Sequence, residues 1–354
     1  MRPKKEIGMV LILLGLFFGY VLLEITQRGL AATFGNPVFL GQANLLNLTR
    51  SIGLFGIFSV AMGVVIITGG IDLSIGSMFA LLGVILADLL GPDNMPWPIA
   101  ISIIILIAMV LGLFHGLLVA RARLQPFVVT LCGLLMYRGL ARFISHDETV
   151  GFGGSTGYEL LRTLATGDVL NVPAPFIIFI IVCIVVGIVL HISIYGRYLY
   201  AIGRNEEAAI YSGINTKLVV TSAYVLCAFL SGISAILIGF YTNSISPASH
   251  GSFFELYAVA ACVLGGLSLR GGEGSILGIF IGTAMIQLLR NIVNLQGIES
   301  SLEFVVMGGV ILVAVSLDQV LAARRRAREA RIDVKAPQVE PARAESSTTV
   351  GELK

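Results

Sequence analysis

The chain has 354 residues, of which 56% are hydrophobic and only 12% are charged, and its formal net charge is +2. In soluble globular proteins about a quarter of the residues are charged. These values exclude an ordinary soluble domain and place the chain in a lipid bilayer. The four cysteines lie inside apolar runs without CxxC spacing, so they predict neither a disulfide framework nor a metal site.

Apolar segments of bilayer-crossing length recur along the chain. A spanning helix needs about 20 mostly apolar residues. Ten segments meet this requirement, at 7–25, 51–68, 73–90, 98–120, 127–144, 174–193, 219–241, 253–269, 275–293 and 303–321. The first could be taken for a signal peptide, but its apolar run of about 17 residues is longer than the usual core of roughly 7 to 15. The sequence predicts an all-α polytopic membrane protein with a transmembrane domain over 1–321.

Lysine and arginine are distributed unevenly between the two sides of these segments. Cytoplasmic loops are enriched in both residues. With the N-terminus inside, the inner segments hold Arg2, Lys4, Lys5, Arg121, Arg123, Arg197, Arg204, Lys217, Arg270, Arg324, Arg325, Arg326 and Arg328, and the outer loops hold Arg28, Arg50 and Arg162. We therefore expect both termini in the cytoplasm. The charged tail 322–354 is expected to be disordered there.

Two glycine pairs, Gly69 with Gly70 and Gly271 with Gly272, interrupt long apolar stretches. Each pair permits a tight turn or a helix break within the membrane, and together they could mark an internal repeat. Asp72 follows the first pair, and an ionisable residue at membrane depth costs about 2.5 to 3.5 kcal/mol. It could cap the next helix, as could Ser74, or line the solute route.

Other polar residues also lie within the apolar segments. Arg138 and Arg142 share one helix face; Arg142 is close enough to the outer end to reach the headgroups, whereas Arg138 needs a carbonyl or carboxylate partner. His115 is interpreted as a helix-interface residue and Glu255 as a helix cap. Asn291 and Asn294 could hydrogen-bond a neighbouring helix or a polar solute.

Motifs for energy conversion or catalysis do not occur in the sequence. It lacks a GxxxxGK[ST] phosphate loop, HExxH and GxSxG, and its helices lack the several buried charges of an ion-coupled carrier. We predict a protein that is not an enzyme, with no catalytic residues, cofactor or metal, whose energy source is a separate chain.

Several ordered motifs resemble the membrane permease subunits of bacterial ATP-binding-cassette (ABC) importers for monosaccharides of the ribose, xylose and arabinose type. The resemblance extends over 44–318. Its motifs are at 44–47, 69–77 (GGIDLSIGS), 126–131, 138–140, 203–214 (GRNEEAAIYSGI), 264–275 and 314–318. Arg204, Leu267, Arg290 and Ile292 depart from the family's usual residues.

The resemblance implies that the inner loop around 203–214 docks onto a separate ATPase. The residues that carry this expectation are Gly203, Arg204, Asn205, Ala208, Ala209, Ser212, Gly213 and Ile214. Candidates for the helix breaks and the translocation path are Gly69, Gly70, Asp72, Ser74, Gly271, Gly272, Asn291 and Asn294. Implied partners are a cytoplasmic ABC ATPase, a second permease chain and a periplasmic or extracellular sugar-binding protein, at the bacterial inner membrane.

The function expected from the resemblance is import of a monosaccharide, ribose-like first, by alternating access. Related permeases carry branched-chain amino acids, nucleosides or a furanose-type signalling molecule, so these cargoes stay open. A self-sufficient secondary carrier or channel is a further alternative, which the lack of buried coupling charges disfavours. A membrane enzyme has no catalytic constellation to support it.

Overall fold

The fold is described from a computed structural model, which covers residues 3–35, 37–91, 95–152 and 157–299 and isolated positions between 302 and 316. The covered part is almost entirely helical. Its helices are α1 (Pro3–Arg28), α2 (Leu30–Gly35), α3 (Gln42–Ile67), α4 (Ile75–Leu90), α5 (Trp97–Ala120), α6 (Pro126–Ile144), α7 (Glu159–Thr166), α8 (Ala174–His191), α9 (Ile194–Arg204), α10 (Glu206–Tyr211), α11 (Thr216–Thr242), α12 (Phe254–Leu264) and α13 (Ile276–Leu295). A hairpin of β1 (Asp168–Val169) and β2 (Val172–Pro173) precedes α8.

Among the described residues, seven helices are long and apolar enough to cross a membrane: α1, α3, α5, α6, α8, α11 and α13. Each matches a predicted segment. The segments predicted at 73–90 and 253–269 correspond to shorter helices, α4 with 16 residues and α12 with 11 residues. At 1.5 Å per residue, α12 extends only about 16 Å and cannot cross a bilayer of roughly 30 Å by itself. The tenth segment, 303–321, and the tail 322–354 lie outside the continuously described residues.

The bundle is built around α3 and α11, which are mostly buried, whereas α1 is largely exposed. In a bilayer an apolar helix can lie at the centre of a bundle or face lipid, and α5 and α8, which are more apolar than α3 and α11, are less buried. Glycines bring α5 and α11 together: a side chain at Gly112 would lie 2.6 Å from the carbonyl oxygen of Tyr224, and one at Gly116 2.8 Å from that of Thr221. Small residues at such spacing permit close contact between helix backbones.

Gly278 and Gly282 have the same role between α13 and α12. A side chain at Gly282 would overlap the carbonyl oxygen of Ala261, and one at Gly278 would overlap that of Gly265. The pair therefore sets the distance between α12 and α13.

Two irregular segments break the helical pattern, 68–74 between α3 and α4 and 243–253 between α11 and α12. We call the end of the bundle where α3 ends and α9 lies the α9 end, and the opposite end, with α7 and the β-hairpin, the α7 end. Segment 68–74 leads inward from the α9 end, and segment 243–253 leads inward from the α7 end. Each is followed by a short helix that begins inside the bundle.

The two broken units meet where their short helices begin. A side chain at Gly76, in the first turn of α4, would overlap the carbonyl oxygen of Gly251 and the carboxylate of Glu255. Further toward the α7 end, a side chain at Gly83 would lie 3.0 Å from Cδ1 of Ile245. Segment 243–253 therefore runs along α4. Like segment 68–74, it is irregular and is followed by a short helix. The Gly271 and Gly272 pair is not part of segment 243–253, and whether the two glycine pairs mark an internal repeat stays a prediction.

Candidate functional site

Three predicted segments that are far apart in sequence meet at the α9 end. The backbone N–H of Gly272 donates to the carbonyl oxygen of Ile67, the last residue of α3, over 2.8 Å. A side chain at Gly203 would overlap both that oxygen and the nitrogen of Gly272, and a side chain at Gly271 would lie 2.6 Å from the nitrogen of Gly69. We call Ile67, Gly69, Gly203, Gly271 and Gly272 the glycine junction.

Backbone conformation explains why glycine occupies these positions. The φ angles of Gly69, Gly271 and Gly272 are +86°, +85° and +72°, in the left-handed region that other residues rarely adopt. The N–H of Gly271 donates to the carbonyl oxygen of Ser268 over 2.9 Å, which closes a tight turn. Both glycine pairs are therefore turns at the α9 end of the bundle and do not interrupt a spanning helix.

Tyr200 of α9 attaches the predicted docking segment to this junction. Its hydroxyl donates to the carbonyl oxygen of Gly274 over 3.0 Å. Burial raises the pKa of Tyr200 to about 12, so the hydroxyl keeps its proton, and its ability to donate, at neutral pH. This hydrogen bond joins α9 to the segment that carries Gly271 and Gly272.

The segment predicted to dock an ATPase folds as α9 and α10. The side chain of Asn205 accepts the N–H of Ala208 over 3.0 Å and so caps α10. Of the eight predicted residues, Ala209 is buried, Gly203 and Ile214 are half-buried, and Arg204, Asn205, Ala208, Ser212 and Gly213 are exposed. Tyr211, which the prediction omitted, is 91% exposed at the tip of α10. This residue could be recognised only in the structure, because the sequence does not show which residues of α10 are exposed.

Asp72 lies in segment 68–74 and is only 1% exposed. Its Oδ1 accepts the backbone N–H of Ser74 over 2.9 Å and the Ser74 hydroxyl over 2.6 Å. Neither side chain accepts an N–H from within α4, so the predicted cap of this helix by Asp72 or Ser74 is not formed. The Asp72 side chain lies just before the N-terminus of α4.

His115 of α5 connects Asp72 to α6. Its Nδ1 is 3.8 Å from Oδ2 of Asp72 and 3.4 Å from the Ser74 hydroxyl, and its Nε2 is 2.9 Å from the hydroxyl of Tyr137. In the tautomer with the hydrogen on Nδ1, that N–H points toward Asp72 and Ser74, and Nε2 accepts a hydrogen bond from the Tyr137 hydroxyl. We call Asp72, Ser74, His115 and Tyr137 the buried polar cluster. The sequence analysis singled out each of them except Tyr137 but did not predict that they meet.

Arg138, next to Tyr137 on α6, holds segment 243–253. Its Nη1 donates to the carbonyl oxygens of Pro247 over 3.0 Å and His250 over 2.7 Å. These carbonyl oxygens are the kind of partner that the sequence predicted for an arginine inside the membrane. Arg142, one turn further on, forms two hydrogen bonds of 2.8 and 2.6 Å with the exposed carboxylate of Asp147 and lowers the pKa of that carboxyl.

Asn291 and Asn294 have different environments. Asn291 exchanges two side-chain hydrogen bonds with Asn44 of α3, of 2.7 and 3.1 Å, and so joins α13 to α3 near the α7 end. Asn294 is exposed. Of the two possibilities left open for Asn291, its contacts match the bond to a neighbouring helix. Within the part of the chain that the structure describes, no group of three or more His, Cys, Asp or Glu side chains could hold a metal ion.

Comparison with known families identifies the class of protein that carries these features. Residues 44–315 match the family described as branched-chain amino acid transport system, permease component. The chain belongs to this family. It is a multi-pass membrane permease subunit of an ABC importer, and such subunits are the non-catalytic membrane components of their transporters.

Individual relatives cover most of the chain. The ribose import permease protein RbsC of Bacillus subtilis is 37% identical over 315 residues, which cover 86% of this chain and 92% of the relative. The protein of the same name from Haemophilus influenzae is 36% identical over 290 residues, 82% of this chain and 89% of the relative. The autoinducer 2 import system permease protein LsrD of Escherichia coli is 31% identical over 301 residues, 83% and 89% of the two chains. No solved structure shows a significant match to this chain.

Proposed function

We propose that this permease imports a ribose-like monosaccharide, powered by a separate ATPase that docks on α9 and α10 from the cytoplasm. The observation that carries the proposal is the glycine junction, where Gly203 of α9 touches both the end of α3 and the turn at Gly272. A displacement of α9 by a bound ATPase moves both contacts together, as rigid-body switching between two packed states requires. The names of the relatives with higher identity favour ribose as the cargo.

The orientation of the chain belongs to the same proposal. The α9 end carries Arg121, Arg123, Arg197, Arg204 and Lys217 among its described residues. Enrichment of positive charge on the cytoplasmic side favours both termini inside. The α7 end then faces the side from which a soluble binding protein delivers the sugar, and a second permease chain completes the pathway.

Reconstitution tests this function directly. The chain would be placed in liposomes with its ATPase and binding protein, and uptake of labelled ribose would be followed with and without ATP. We expect uptake that depends on ATP and on both partners. Uptake by the chain alone, driven by an ion gradient, would show that it is a secondary carrier. Competition with unlabelled autoinducer 2 or leucine distinguishes the other cargoes.

A matched pair of variants tests the docking role of 203–214. Gly213 and Gly297 are both exposed, both have positive φ, and neither has an atom within 4 Å of the position a side chain would take. Gly213 lies after α10, whereas Gly297 lies near the α7 end. Gly213→Trp is expected to abolish ATP-driven uptake while the chain still inserts in the membrane, and Gly297→Trp to retain it. Equal uptake by the two variants would contradict the docking role.

A further inference from the structure

The first turn of α1 reaches the start of α13 through one carboxylate. Glu6 is half-buried, and its Oε1 accepts a hydrogen bond of 2.9 Å from the hydroxyl of Ser275. Ser275 is only 8% exposed and is the N-cap of α13, where its oxygen accepts the N–H of Gly278 over 3.0 Å. One hydroxyl therefore joins α1 to the first turn of α13.

The residues on either side of Ser275 are held by two other helices. The hydroxyl of Tyr200 in α9 donates to the carbonyl oxygen of Gly274. The N–H of Ile276 donates to Nε2 of His191, the last residue of α8, over 3.4 Å. The rings of His191 and Tyr200 are stacked with their centres 6.1 Å apart. Three consecutive residues at the start of α13 thus contact α9, α1 and α8 in turn.

A second contact of α1 lies on the same face of this helix. Met9 is three residues after Glu6, and residues three apart on a helix are neighbours. A side chain at Gly266 would lie 3.4 Å from Sδ of Met9. The α1 helix therefore contacts both ends of segment 265–275, which connects α12 to α13. The residues that match the permease family begin at 44, so α1 lies outside the matched region.

Segment 265–275 contains the turn of the glycine junction, and its glycines make fixed ends important. Gly271, Gly272 and Gly274 have φ angles of +85°, +72° and +145°. Glycine allows more backbone conformations than any other residue. A displacement that α9 applies at Gly272 would be absorbed by rotation within this turn if the residues before α13 were free. The anchors at 274–276 therefore determine whether the displacement reaches α13.

We propose that Glu6 is a positioning residue that couples the ATPase to transport by fixing the start of α13 through Ser275. This inference rests on the proposed function, because it requires an ATPase that displaces α9. With the Glu6 acceptor in place, segment 265–275 carries the displacement to α13. Without it, the segment yields, and ATP is hydrolysed without the matching movement. A substitution at Glu6 leaves the exposed residues of α10 unchanged, so the ATPase still docks.

The ratio of sugar imported to ATP hydrolysed tests this role. The chain would be reconstituted in liposomes with its ATPase and binding protein, and both rates would be measured on the same vesicles. We expect Glu6→Ala to lower the ratio about tenfold, the effect of one hydrogen bond to a charged group on an equilibrium. Glu6→Gln keeps an oxygen that accepts from Ser275 and should keep most of the ratio. An unchanged ratio in Glu6→Ala, or an equal fall in Glu6→Gln, would overturn the inference.

Glu24 provides the matched control, because it is the carboxylate near the other end of α1. It accepts the N–H groups of Val38 and Phe39 over 3.2 and 3.3 Å, away from segment 265–275. A purely structural loss lowers the number of active transporters, so Glu24→Ala should lower uptake and ATP hydrolysis together and leave their ratio unchanged. If Glu24→Ala lowered the ratio as much as Glu6→Ala does, the bond to Ser275 would have no specific role.

Ser275→Ala removes the same hydrogen bond from its other side. We expect it to lower the ratio as well, and the double variant with Glu6→Ala to lower it no further than Ser275→Ala alone, because both changes remove one interaction. A further fall would show that the two residues act independently and would overturn the inference.

Two outcomes that concern the protein as a whole are distinguishable from these. If Glu6→Ala does not fold, Glu6→Asp decides the question, because it keeps the carboxylate but shortens the side chain by one methylene and withdraws the acceptor from Ser275. If the unmodified transporter imports no ribose with ATP, the proposed function fails. If it imports ribose and the ratio does not depend on Glu6, only the positioning role fails.

Discussion

The N–H of Gly272 donates a hydrogen bond of 2.8 Å to the carbonyl oxygen of Ile67. This bond joins the turn before α13 to the last residue of α3, and Gly203 of α9 packs against both of its atoms. The helix expected to contact an ATPase is therefore in backbone contact with two other parts of the membrane domain. Substitutions at this contact, at two polar residues within the bundle and at the exposed tip of α10 test what each contributes to stability and transport.

Gly203→Ala is expected to separate α9 from the glycine junction, because the new methyl group would overlap the Ile67 oxygen. Overpacking of this kind costs about 1 to 3 kcal/mol. Stability in detergent and ATP-driven uptake should both fall. Gly139→Ala in α6 is the control, since that position has no atom within 4 Å of a new side chain, and it should behave as the unmodified chain. A Gly203→Ala protein with normal stability and uptake would show that the contact is dispensable.

Asp72 allows its charge and its hydrogen bonds to be tested separately. Asp72→Asn keeps an oxygen that can accept from Ser74, whereas Asp72→Ala leaves the N–H and hydroxyl of that serine without their acceptor. We expect Asp72→Ala to lower the free energy of unfolding by about 1 to 3 kcal/mol and Asp72→Asn to lower it less. If the charge serves the solute route, Asp72→Asn should still lose uptake. Full uptake by Asp72→Asn would limit this residue to a structural role.

Arg138 and Arg142 are a matched pair one turn apart on α6. Arg138→Met would remove the donor to the carbonyl oxygens of Pro247 and His250, and it should lower the free energy of unfolding by roughly 1.5 to 3 kcal/mol. Arg142→Met breaks only an exposed ion pair with Asp147, so its unfolding temperature should hardly change. Thermal unfolding of both purified variants checks the difference. Similar unfolding temperatures would mean that segment 243–253 does not depend on Arg138.

Tyr211 is expected to contact the ATPase through its exposed ring. Tyr211→Asp should weaken the affinity for the partner by about tenfold, because it places a charge in an apolar contact. Leu170→Asp in the hairpin between β1 and β2 is the control, since Leu170 is 93% exposed and Tyr211 91%, but they lie at opposite ends of the bundle. Binding of the purified ATPase to each variant in nanodiscs provides the measurement. If Leu170→Asp weakened the affinity for the ATPase more than Tyr211→Asp, the ATPase would bind at the α7 end, which would contradict the orientation proposed here.

The spanning helices were predictable because hydropathy is a local property of the chain. Seven of the predicted segments correspond to helices of spanning length. The predicted segment 253–269 is longer than α12, because the apolar character continues through 265–269 whereas the helix ends at Leu264. Nothing in the sequence of 243–253 indicated that this segment enters the bundle, because the residues that contact it on α4 and α6 lie far away in sequence.

Hydropathy and motifs along the chain were sufficient to predict the class of protein, seven of the spanning helices and the positions whose residue types need special surroundings, such as Asp72 and the two glycine pairs. The packing of distant segments was needed to show that Gly203, Gly271 and Ile67 share one junction, that Asp72 lies near His115, and that Arg138 binds the carbonyl oxygens of Pro247 and His250. The physical reason is that a bilayer selects apolar runs segment by segment, whereas backbone contact and buried hydrogen bonds depend on how distant segments pack.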